Sequence, residues 1–113
     1  MSHHQHISPE MRQCIDACHE CHLTCLSEAT GHCLEMGGAH AAPDHIRIML
    51  DCAQICATAA DFMARGSQAH ALVCGVCAQI CRACAESCRA IEGMEECAAT
   101  CERCAEMCEA MAA

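Results

Sequence analysis

Cys74-Gly75-Val76-Cys77-Ala78-Gln79-Ile80-Cys81-Arg82-Ala83-Cys84-Ala85-Glu86-Ser87-Cys88 decides the fold. Its cysteines step by three, four, three and four, which keeps them on one helix face turned toward a shared interior. The same ladder runs through Cys14, Cys18, Cys21 and Cys25, and again through Cys97, Cys101, Cys104 and Cys108. A shorter piece stands at Cys52 and Cys56. Of the fifteen gaps between successive cysteines, eleven are three or four, so the sulfurs follow a helical ruler. Cys33 alone falls off it, on the flank of the seam.

Punctuation divides the chain around these ladders. Ser8-Pro9-Glu10 supplies a hydroxyl N-cap, a proline at the first helical position and an acid against the dipole. Gly37-Gly38 stops that helix, Pro43-Asp44 opens the next, and Arg65-Gly66 closes it. Ser67 can cap a third helix, and Glu95 and Glu96 suit the first turn of a fourth. The predicted helices span about 8–36, 43–65, 67–92 and 94–112, after a histidine-rich tail at 1–7 that is expected to be flexible. Short connections force antiparallel neighbours. The expected fold is all-α, an antiparallel up-down-up-down four-helix bundle with a cysteine-lined core, in one domain over 8–113.

Composition narrows the function. A chain of 113 residues has room for one core, and sixteen cysteines mark a disulfide scaffold or a metal-thiolate protein. Leu, Ile, Val and Phe together number only 15, so Ala, Met and Cys must carry much of the packing. Fifteen acids against six bases give a net charge of −9, which argues against nucleic acid or an anionic membrane and suits cations. No apolar run approaches the roughly 20 residues of a membrane span. The stretch Met1–Ile7 lacks a charged start, an apolar run and a twin arginine, so a reducing cytoplasm is the expected compartment. There a cysteine cluster is metal-binding or redox-active rather than a disulfide framework.

The spacing favours metal. Seven pairs lie four apart: Cys14/Cys18, Cys21/Cys25, Cys52/Cys56, Cys77/Cys81, Cys84/Cys88, Cys97/Cys101 and Cys104/Cys108. A rigid helix holds such a pair too far apart for a disulfide, whereas a soft ion fits between the two thiolates. Four zinc tetrathiolates would each carry excess negative charge into an acidic protein. Monovalent copper accepts two or three bridging thiolates, and one ion per thiolate leaves the interior nearly neutral. Many Cu(I) ions per chain are the expected cargo, with zinc or cadmium sequestration of the metallothionein kind as the alternative. Softer or neutral donors extend the seams outward: Met11, His32, Met36, His45, Met49, Met63, His70, Met94 and Met111. These are candidate ligands or entry points at the two bundle ends.

Rival motifs fail on context. Cys18-His19-Glu20-Cys21-His22 matches a c-type haem attachment signature, yet both cysteines belong to an unbroken mid-helix ladder. No glutamate has a histidine three residues later, as a di-iron bundle enzyme requires. No catalytic constellation emerges, and a non-enzymatic protein is expected.

The repeated C-x₃-C pairs facing inward from all four helices resemble the cysteine-rich copper storage proteins. The resemblance covers nearly the whole length after the tail and is closest to the cytosolic type. It implies a homotetramer of four-helix bundles, ligation chiefly by paired cysteines, and some Met and His at one mouth. A stripe of Leu72, Val73, Val76 and Ile80 beside the thiol seam of the third helix is compatible with a subunit contact.

Overall fold

Ser8 Oγ accepts a hydrogen bond from the Met11 amide at 3.1 Å, and Pro9 takes the first helical position. These start the first of four long helices in the computed structural model, which describes residues 7–113. Helix α1 runs from Pro9–Ser27 through one π-helical turn, Glu28–His32, into Cys33–Met36. A short 3₁₀ turn, Gly38–Ala41, leads to α2, Pro43–Ala64; α3 is His70–Arg89 and α4 is Glu95–Ala112. The histidines of the tail, His3, His4 and His6, lie outside the described residues.

Two ends differ from the sequence expectation, and both for local reasons. The third helix starts at His70 and not at 67. Ser67 is consumed by a turn: its amide bonds the Phe62 carbonyl (3.0 Å), its Oγ accepts from the Ala69 amide, and its carbonyl accepts from the His70 amide. Gly66, at φ +67, makes that reversal possible, as a left-handed residue after a helix end does. At the far end α3 stops at Arg89, because the Ile91 amide turns back to the Cys88 carbonyl and Gly93 sits at φ +93. The short links leave successive helices antiparallel. Each packs on its two neighbours, and α4 closes the ring against α1. The result is a slender bundle, 53 × 24 × 19 Å.

Alanine permits that thin cross-section. Ala53, Ala78, Ala85, Ala98 and Ala105, each directly following a seam cysteine, are buried where helices meet. All sixteen cysteines are buried and free. Among the described residues, every buried side-chain nitrogen or oxygen has a hydrogen-bond partner. Outside the core, α4 is tied to α3 by Arg82–Glu109 and Arg89–Glu102, and to α1 by Arg103–Glu20. These exposed pairs orient more than they stabilise. By length and composition α3 could cross a membrane, with a mean hydropathy of 1.3. That apolarity, greater than the sequence reading allowed, comes from Leu72, Val73, Val76 and Ile80 together with five cysteines, all of the latter turned into the bundle core.

The π turn corrects one expectation. Eight residues on a regular helix place Cys33 about 80° from Cys25. The wider turn at Glu28–His32 absorbs one residue, so Cys33 behaves as the seventh and returns to the core, fully buried. Gly31 in that turn has a negative φ and nothing within 4 Å of where a Cβ would sit. Gly31→Ala should therefore stabilise the metal-free, reduced protein by about 0.5–1 kcal/mol, measured by chemical or thermal unfolding. A destabilised variant would mean that the turn needs the freedom of glycine.

Candidate metal centre

Four seams converge on one axis, and the sulfurs stack along it in overlapping groups. At the end where α1 begins, Cys14, Cys74 and Cys108 come together. Next lies the group Cys18, Cys77, Cys104 and Cys108, then Cys21, Cys56, Cys81 and Cys104, then Cys21, Cys25, Cys52 and Cys101. Within each group all sulfurs lie within 4.8 Å of one another. The close contacts link helices in every direction: Cys25–Cys101 and Cys56–Cys81 at 3.5 Å, Cys21–Cys52 and Cys18–Cys108 at 3.6 Å, Cys56–Cys104 at 3.7 Å. Cys25–Cys84 at 4.0 Å carries the column on toward Cys88 and Cys97.

Those spacings suit ions. A metal–sulfur bond of about 2.3 Å puts two ligands about 3.8 Å apart at the tetrahedral angle and about 4.6 Å apart when linear. A disulfide needs about 2.05 Å. The column therefore accepts soft cations between thiols with little movement. Sharing is the decisive feature: Cys108, Cys104 and Cys21 each belong to two groups. Isolated four-sulfur sites cannot all fill at once, but bridging thiolates can serve a continuous run of ions.

The far end of the column changes chemistry. Cys33 Sγ lies 3.7 Å from His45 Nε2, 4.0 Å from Met49 Sδ and 3.9 Å from Met94 Sδ. All four residues are buried, so one thiol, one imidazole and two thioethers meet there. The π turn of α1 delivers Cys33, the first turns of α2 deliver His45 and Met49, and Met94 precedes α4. This grouping was masked in the sequence by the off-ladder position of Cys33. Burial pushes the Cys33 thiol up, with the charges of Glu28 and Cys97 adding to it. Burial draws His45 down, leaving a neutral imidazole whose lone pair is open to metal.

The other candidates are dispersed. Met63 is fully buried near the opposite end, with Met11 and Met111 half-buried against the core. His70 turns away, its Nδ1 2.9 Å from the Ser67 carbonyl. His32 and Met36 are exposed, and His32 stacks edge-on against His40. In the haem-like stretch Cys18 and Cys21 face the core, while His22 Nδ1 donates to the Ala53 carbonyl at 2.8 Å and braces α1 on α2. A hollow of about 350 Å³ between α1 and α4, with Glu20, Glu28 and Glu96 on its walls, reaches Cys97. No local sequence pattern announces that acidic hollow, because its walls come from two helices distant in the chain.

Once this column is seen, the comparisons agree with it. The copper storage protein family profile matches residues 2–113. The chain belongs to the copper storage protein family. It is similar to the Nmul_A1745 protein of Nitrosospira multiformis, whose crystal structure shares 54% identity and a TM-score of 0.89 over 91% of this chain and 94% of that one. It is also similar to the Cu(I)-bound copper storage protein BsCsp3, at 37% identity and a TM-score of 0.84, covering 92% and 99% of the two chains. The apo form of copper storage protein 3 from Bacillus subtilis gives 38% identity and a TM-score of 0.82, over 90% and 98%. No curated protein matches the sequence.

The buried thiols set a pH dependence. Cys56 is pushed above the ordinary thiol range by its hydrogen bonds with Cys104 and then with Cys18, Cys21 and Cys52, and after these by burial, while burial is the first cause that raises Cys33. Above about pH 8.5 the unfolded chain ionises thiols that the folded chain keeps protonated. The folded state then holds more protons, and its stability falls as pH rises. Metal-free protein unfolded in urea should lose up to about 1.4 kcal/mol per pH unit for each such thiol between pH 8.5 and 10. A midpoint unchanged over that range would mean that the thiols are not held neutral.

Proposed function

We propose that this chain is a copper reservoir that holds many Cu(I) ions inside the bundle through cysteine thiolates, without catalysis. The observation that carries this reading is the run of four-thiol groups that share members along one buried axis. Each ion displaces about one proton and is bridged to the next through a common sulfur, so the filled core stays close to neutral. Zinc held in separate tetrathiolates along the same column would carry surplus negative charge at each site.

The ligand assignment is part of the proposal. Cys14, Cys18, Cys21, Cys25, Cys52, Cys56, Cys74, Cys77, Cys81, Cys84, Cys88, Cys97, Cys101, Cys104 and Cys108 form the column, and Cys33 with His45, Met49 and Met94 forms the exchange end. Met63 and Met111 serve the opposite end, while His32, Met36 and His70 are placed for capture at the surface rather than for storage. The neutral donors around Cys33 hold copper less tightly than bridging thiolates, which suits an entry and exit point. A reducing cytoplasm is the setting that keeps sixteen free thiols available. A homotetramer of bundles is supported by exposed Leu72 and Val76 on α3, beside Val73 and Ile80, which pack on the core.

The test is a Cu(I) titration of reduced protein under anaerobic conditions, followed by intact-mass measurement without denaturation. More than ten ions per chain are expected, with about one proton released per thiol. Saturation at one or two equivalents would overturn storage.

A further inference from the structure

At the mixed-donor end, a fifth residue stands behind one of these donors. Ser87 projects from α3, and its Oγ lies 2.7 Å from His45 Nδ1. The opposite ring nitrogen, Nε2, faces Cys33 Sγ at 3.7 Å. We propose that Ser87 is a positioning residue for the copper exchange site: its hydroxyl accepts the Nδ1–H of His45 and so keeps the Nε2 lone pair aimed at the space shared with Cys33, Met49 and Met94. The inference rests on the copper reading above, since it assigns a role toward that cargo.

The chemistry selects this arrangement. A neutral imidazole carries one ring proton, and only one of the two nitrogens is then free to ligate. If the serine hydroxyl donated to Nδ1, Nε2 would carry the proton and point it at Cys33, closing the site to a cation. With Nδ1–H on Ser87, the Cys33 thiol can donate to Nε2 in the metal-free protein, and an arriving ion takes over both atoms as the thiol proton leaves. Ser87 is half-buried, so its own proton can face water while a lone pair serves the imidazole. Histidines that ligate metal are fixed in this way by a hydrogen bond from the other ring nitrogen, and removing the partner typically costs about 10–100-fold in metal affinity. The serine also anchors the ring from a helix that contributes no other donor to the group, so it fixes His45 across the α2–α3 interface.

The first readout needs no metal. In ¹⁵N-labelled, reduced protein the two-bond proton–nitrogen correlations of His45 should report the Nδ1–H tautomer. Ser87→Ala should shift the population toward Nε2–H, and Ser87→Thr, which keeps a hydroxyl, should restore it. Alanine raises helix propensity, and matching circular dichroism will confirm that the variants fold. The second readout is competition for the most weakly held copper with a graded Cu(I) chelator, where Ser87→Ala should lose about 10–100-fold and Ser87→Thr should recover most of it. An Nε2–H tautomer in the unaltered chain, or a Ser87→Ala protein with unchanged tautomer and unchanged competition, would overturn the proposal. Uptake of only one or two ions by the unaltered chain would instead defeat the storage reading, and the tautomer measurement would still decide the Ser87 bond.

Discussion

A charge cannot stay uncompensated in a dry interior, and this bundle is filled with groups that become charged when they lose a proton. That constraint explains the architecture better than packing does. Sixteen thiols brought together as sixteen thiolates would drive the helices apart; as neutral thiols they pack as small apolar side chains. The same groups accept monovalent cations only when each proton is exchanged for one ion. Protonated and metal-filled forms are therefore two nearly neutral states of one core, and the fold is compatible with both. The acidic exterior works in the same direction. Five of the six arginines form ion pairs, and Arg65 lies over the Phe62 ring, so most of the fifteen carboxylates remain to attract cations toward the bundle.

Filling a core with small side chains has a structural consequence. Cysteine and alanine at successive positions let the helices approach closely, so the sulfurs of facing seams come within 3.5–4.0 Å rather than being separated by branched side chains. Leucine would have given a stable bundle with no path along its axis. The leucines are displaced to the outside instead, where Leu23, Leu34 and Leu72 stand more than half exposed. Core chemistry and surface character are thus two sides of one compositional choice.

Much of this was legible in the sequence because helical spacing is a strict ruler. The ladders at 14–25, 74–88 and 97–108 fix which face of each helix turns inward, and short links between Gly and Pro fix the antiparallel order. Cys33 shows where the ruler fails. A π turn is a local change of pitch with no strong sequence signature beyond the polar, Gly-containing Glu28-Ala29-Thr30-Gly31-His32, and reading through it as α-helix misplaces everything beyond. The ends of α3 were missed for a similar reason: Ser67 can cap a helix or close a turn, and the Gly66 reversal just before it decided between them. The partners of Cys33 were individually visible as His45, Met49 and Met94, but their convergence depends on that turn.

The change of donor type along the axis follows from the exchange problem that any buried store of ions must solve. An ion bridged by several thiolates is held by strong, charge-matched bonds and leaves slowly. At the Cys33 end a single thiolate stands among neutral donors, so one cation balances the charge there with no sulfur left over for bridging. Thioether and imidazole can be displaced by an incoming ligand without first finding a proton, whereas a released thiolate in a buried site must be reprotonated. An ion held there would therefore need less rearrangement to leave than one bridged by several thiolates. At the opposite end the column starts with a three-thiol group, Cys14, Cys74 and Cys108, with Met63 buried and Met11 and Met111 half-buried nearby, and His70 turned toward the Ser67 carbonyl. The two ends thus differ in donor type, with one imidazole and two thioethers gathered around a single thiol where α1 ends and α2 begins.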